Sequence, residues 1–228
     1  MPEPTALAVR DDLRRSHEQA WRHVAAPGSW WNGAERVAIA RVALAALDDP
    51  DPLPPWVAPT AAGRRPAGSD GLPEAAVDAA YRIARHASTL TDGWYRSILE
   101  RGIGALAYVE LVGVVIAVAA VDGFARAAGV DRPPLPFPES GEADHRHPPL
   151  AEAELNWVPV AAPADQKAAV VQALSAVPAE WENLAQLHAA QYIPVHEMGD
   201  MGWTRGTLDR PQMELVAARL SAARQCFY

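Results

Sequence analysis

Residues 104–129 read GALAYVELVGVVIAVAAVDGFARAAG. No charged residue lies between Glu110 and Asp122, so apolar side chains surround the helix this stretch would form. A helix of that kind is either wrapped by other helices or immersed in a bilayer. Ile103–Val121 approaches the roughly 20 apolar residues that a spanning helix needs. Glu110 would then sit inside the span, where an ionised carboxylate is costly. The flanking basic residues form no charge asymmetry, and the many Ala and Gly residues suit close approach of neighbouring helices. The stretch is therefore expected to be a buried central helix. Gly129 closes it, ahead of the Pro-rich run from Pro133.

The rest of the chain fits that centre. Half of the 228 residues are hydrophobic, which supports a folded core in one large domain or two small ones. Abundant Ala, with β-branched runs confined to the central stretch, points to an all-α protein. The formal net charge of −8, without a basic patch carrying aromatics, argues against nucleic acid as a partner. The first residues, MPEPTALAVRDDLRRSHEQ, lack the apolar core of a signal peptide, so a cytoplasmic location without a membrane partner is expected. Cys226 is the one cysteine, which excludes a disulfide within these residues.

Helices are expected at Thr5–Ala25, Ala34–Leu47, from Pro73 to about Ala87, and from Thr91 to Gly102. In the second of these, Glu35, Arg36 and Arg41 interrupt an apolar surface and are free to pair with each other or with other helices. Asp48–Gly71 reads as a mobile Pro-rich surface loop with Trp56 docked. The chain divides into a first helical block, 1–132, a Pro-rich linker, 133–164, and a second block, 165–228. His145 and His147 in the linker lack a third ligand at a recognisable spacing, so they read as solvated loop residues, and no metal or other cofactor is expected. In the second block Asp165 caps a helix to Val177, and Pro178 opens another. His188 reads as a hydrogen-bonded core histidine, and Met198 and Met201 as gap fillers. Asp209 caps the last helix, with Pro211 in its first turn.

That last helix matches the second. Laying Arg219 on Arg41 pairs Leu215 with Val37, Val216 with Ala38, Leu220 with Val42 and Ala223 with Ala45. Each then reads as an apolar helix with one buried-side Arg, which suggests an internal duplication.

The phrase MELVAARLSAARQCFY resembles the signature helix of the alkylhydroperoxidase D / carboxymuconolactone decarboxylase superfamily. WWNGAERVAIARVALAAL resembles a first-repeat copy of it, and HASTLTDGWYRSILERGIGALAYVELVGVV the helical pair that follows. The resemblance implies an all-helical bundle with two related halves. It implies a peroxidase whose signature helix carries a Glu, a Cys-x-x-Cys and then a His. Glu214 stands twelve residues before Cys226, the family's spacing, so the implied catalytic residues are Glu214 and Cys226. The first copy has Asp48-Asp49-Pro50-Asp51 where thiols would stand. The second copy stops at Tyr228, one position before the partner chalcogen. One expectation is therefore a UGA codon meant for selenocysteine and read as stop; a truncation or an engineered boundary explains the end equally well. The implied partners are a peroxide and a dithiol reductant, and the implied assembly is a homo-oligomer. Peroxidase turnover by the 228 residues is expected to be impaired.

Two other readings remain open at this point. One is a non-catalytic scaffold or binding module, with Glu110, Arg41, Trp30 and Trp31 lining a pocket; pairing of Glu110 to Arg41 would then mark a structural role. The other is a carboxymuconolactone decarboxylase-like lyase, for which no substrate-binding Arg cluster is visible.

Overall fold

The computed structural model describes residues 8–50, 65–152, 156–162 and 169–223. They are mostly helical. α1 spans Asp11–Ala25, α2 Gly33–Asp48, α3 Glu74–His86, α4 Asp92–Glu100 and α5 Ala105–Ala128. α6, Ala169–Gln172, is a single turn; α7 runs Pro178–Gln191 and α8 Arg210–Ala223. Two short strands, β1 at Leu150–Ala151 and β2 at Val160–Ala161, pair antiparallel.

α5 is the central helix. It packs against α1, α2, α3 and α7, and Leu111, Val114, Ala117 and Val118 are wholly buried in the main core. Gly129 ends it in the left-handed conformation (φ 65°), and the Val130 N–H donates back to the Ala125 carbonyl. Among the described residues α5 alone is long and apolar enough to cross a membrane; here other helices cover much of it.

Local chemistry explains several boundaries. Asn32 begins α2 with a reciprocal box: its side chain accepts from the Glu35 N–H, and Glu35 accepts from the Asn32 N–H. Thr91 caps α4, and Pro178 occupies the first turn of α7. Asp209 and Gln212 form a second reciprocal box at the start of α8.

Other expectations are corrected. α1 begins at Asp11, not Thr5; Asp11 and Asp12 in the first turn suit the positive end of the helix dipole. The helix expected over 165–177 is helical only at Ala169–Gln172 among its described residues, and the Asp165 cap lies outside them. Trp56 also lies outside the described residues. Met198 is 36% and Met201 69% exposed, so neither fills a core gap.

The linker is not simply a solvated loop. The Glu139 N–H donates to the Ala25 carbonyl, the Asp144 N–H to Gly28 and the His145 N–H to Ser29. His145 and His147, exposed as expected, lie against the Trp30 ring at 5.2 and 6.3 Å between centroids. Segment 139–147 therefore fastens along the connection between α1 and α2.

Candidate functional site

Two arrangements of ionisable side chains stand out. The first is buried where α1, α2, α5 and α7 meet. Arg36 of α2 is fully buried and donates through Nη1 to Glu110 Oε1 of α5 at 2.5 Å and to Glu180 Oε1 of α7 at 2.7 Å. Its Nη2 donates to the His23 carbonyl at 3.0 Å. The Trp30 N–H donates to Glu110 Oε2 at 2.7 Å, and the His23 ring Nε2 lies 2.8 Å from Glu180 Oε1. Glu110 is 0% and Glu180 1% exposed, so water reaches neither carboxylate.

The backbone makes room for this cluster. A Cβ on Gly28 would stand 1.8 Å from Glu110 Oε1, and one on Gly113 would stand 2.3 Å from Glu180 Oε2. Both positions require glycine because the backbone approaches a carboxylate directly. The two carboxylates differ electrostatically. Burial, the largest influence on Glu110, pushes its carboxyl up against the opposing pull of Arg36. Burial acts on Glu180 too, but Arg36 and then the His23 hydrogen bond outweigh it and hold Glu180 below the ordinary range. Environments that drive two carboxyls apart can support acid/base chemistry, but that chemistry needs access for a substrate. The cluster is sealed, and it joins the second block's α7 to α1, α2 and α5.

This corrects the pairing considered for Glu110. Its partner is Arg36, not Arg41. Arg41 is exposed, its guanidinium lying beside Gly68. The buried-side Arg of α2 is therefore Arg36, about 1.4 turns before the residue that the repeat alignment singles out.

The second arrangement is on α8. Glu214 Oε1 accepts from the Tyr192 hydroxyl and from Arg210 Nε, both at 2.5 Å. The Tyr192 bond, then the Arg210 bond, lowers the Glu214 pKa, so the group is a carboxylate at neutral pH. Among the described residues Oε2 has no hydrogen-bond partner, leaving one oxygen able to accept a proton. Cys226 lies outside the described residues.

Ala223 lines a cavity of about 390 Å³ with Ile83, Arg85, His86, Val115 and Ala119. The His86 Nδ1 is buried there without a hydrogen-bond partner among the described residues. His188, by contrast, is hydrogen-bonded as expected, its Nδ1 lying 2.5 Å from the Ile193 carbonyl oxygen, but it is half-buried and not a core residue. Among the described residues no three His, Cys, Asp or Glu side chains converge as metal ligands would.

Sequence reasoning missed the Arg36–Glu110–Glu180 cluster. The available signal was Glu110, a lone charge in an apolar helical run that needs a buried cation; nothing local marked Arg36 or Glu180 as its partners. No family model, curated protein or solved structure matches the chain.

Proposed function

We propose that this chain is an alkylhydroperoxidase D-like thiol oxidoreductase, with its chemistry on and after α8 and its helical bundle as the supporting frame. The observation that carries the reading is Glu214: a helix-borne carboxylate with one oxygen engaged and twelve residues of spacing to Cys226. The cavity beside Ala223 supports it by giving a small oxidant space near the end of α8. In the step proposed, the Cys226 thiolate attacks the distal oxygen of a hydroperoxide. The S–O bond forms as the O–O bond breaks, and an alkoxide leaves and takes a proton. Sulfur is oxidised to the sulfenic acid and the peroxide is reduced to an alcohol. Glu214 takes the thiol proton as the thiolate forms and returns it to the leaving alkoxide.

A single cysteine cannot resolve that sulfenic acid within these residues. Without a resolving thiol the cycle depends on slow attack by an external dithiol, so turnover is proposed to be impaired. The homo-oligomer is proposed to form through the apolar side of α8, where Leu215, Val216 and Leu220 are 62–64% exposed.

Thiol titration before and after one equivalent of organic hydroperoxide tests the reading. The expected outcome is loss of one titratable thiol per chain and a mass gain of one oxygen at Cys226. Multiple turnover with a dithiol should be little above that of the dithiol alone. Robust turnover would contradict the impairment, and an unreactive thiol would contradict the redox assignment.

A non-catalytic scaffold is the second reading. It is favoured by the sealed pairing of Glu110 with Arg36, which gives this carboxylate a fastening role. An unreactive Cys226 in the same titration is its expected outcome.

A further inference from the structure

On another side of α5 lies a cavity of about 550 Å³, between α1, the last turns of α5 and segment 130–139. Trp21, Ala25, Val121 and Ala125 are its buried apolar walls, and Phe124 and Pro136 narrow it. The covering segment is tied on both sides of its tip. Trp21 Nε1 donates to the Pro134 carbonyl at 2.8 Å, and the Glu139 N–H donates to the Ala25 carbonyl at 2.9 Å. Between these ties Phe137 is 95% exposed at the mouth. An aromatic ring held in water beside an apolar cavity gains by turning over whatever fills it.

The charges indicate what that is. Arg14 and Arg22 line the cavity together with Glu18, Asp131 and Glu139, and Arg14 already bonds Asp11 at 2.6 Å. The carboxylates outnumber the guanidiniums, so the lining disfavours an anionic ligand. The titratable side chain set deeper is His17, half-buried, with its ring centroid 4.9 Å from that of Phe124 in an edge-to-face contact and its Nε2 3.0 Å from the Gln191 amide. Burial lowers its pKa, so it is neutral at pH 7. The volume lies within the roughly 300–1,000 Å³ of small-molecule sites.

We propose that this cavity binds a small uncharged aromatic or alicyclic molecule, with Phe137 closing over it. The proposal is independent of the chemistry assigned to α8.

Calorimetric titration of the full chain with 2-naphthol, and with 2-naphthoate as its anionic counterpart, tests it. The expected result is saturable binding of one 2-naphthol per chain, with 2-naphthoate at least tenfold weaker. Phe137→Ser, at a fully solvated position, should weaken binding at least fivefold. Val130→Trp, which fills the cavity from a half-buried wall, should abolish it. Leu220→Ser on α8 should leave 2-naphthol binding unchanged, whatever it does to assembly, which separates this site from the other exposed apolar surface. Unsaturable binding would overturn the proposal, as would tighter binding of the anion or wild-type affinity in Phe137→Ser. Sedimentation showing that Phe137→Ser converts a dimer to a monomer would overturn it too, because a second copy would then be the occupant.

Discussion

α2 and α8 share a sequence pattern and have opposite surroundings. In the alignment that pairs them, Val37 is 3% exposed and Leu215 63%; Val42 is 0% and Leu220 62%. α2 is enclosed by α1, α3 and α5. α8 buries Arg210 and Met213 near its start and leaves the apolar side chains of its middle in solvent. Periodicity shows which residues would like to be covered; it does not supply the cover. The charged residues carry the same lesson. Arg36 on α2 is sealed between two carboxylates, whereas Arg219 on α8 is exposed.

The largest expected contrast is at these arginines. Arg36→Met leaves Glu110 and Glu180 buried without their cation, and should cost about 3–5 kcal/mol. Arg219→Met should stay within about 0.5 kcal/mol, as exposed substitutions usually do. Urea unfolding of both variants checks the pair, and equal losses would break the contrast.

Truncation of apolar side chains gives the next largest difference. Ile39→Ala in the core of α2 should cost about 2–5 kcal/mol. At protein concentrations low enough to keep the chain monomeric, Leu220→Ala on α8 should change unfolding by less than about 0.5 kcal/mol. A loss that grows with protein concentration is expected from the assembly proposed through α8; a large loss independent of concentration would break the contrast.

A smaller effect is expected from pH. The folded Glu180 pKa is lowered, so its contribution is present above the ordinary carboxylate range and is lost as pH falls through its folded pKa. The folded Glu110 pKa is raised, so its contribution is fully present below the ordinary range and is lost as pH rises through its folded pKa. Urea midpoints from pH 4 to pH 8 should therefore lose part of their acid dependence in Glu180→Gln. Glu110→Gln should instead lose part of the decline on the rising side. Identical profiles in both variants would show that the carboxyls are not driven apart.

Features set by neighbouring residues were legible in the sequence. The 104–129 run gave α5, Gly129 its stop, Asp209 the start of α8 and Pro178 that of α7. What could not be read depends on encounters between distant residues. Arg36 meets Glu110 across 74 positions and Glu180 across 144, and no periodicity encodes which carboxylate an Arg will meet. The repeat alignment drew attention to Arg41 because it compares side-chain types and carries no record of burial. Segment 139–147 looked solvated because its ties to 25–29 run through backbone N–H and C=O groups, which composition does not reveal. Of the two residues proposed for redox chemistry, Glu214 is legible as a helix carboxylate and stands on α8, but its bonds to Tyr192 and Arg210 come from the fold. The exposure of Leu215, Val216 and Leu220 was invisible for the same reason as the burial of Arg36.

The most direct test of the redox assignment is the rate at which an organic hydroperoxide oxidises Cys226, in the wild-type chain and in Glu214→Gln, followed by intact mass. The account predicts wild-type oxidation faster than that of free cysteine at the same pH. It predicts a fall of at least about tenfold on removing the carboxylate, since a positioned proton acceptor typically contributes more than that. Equal rates in the two chains, both matching free cysteine, would contradict it.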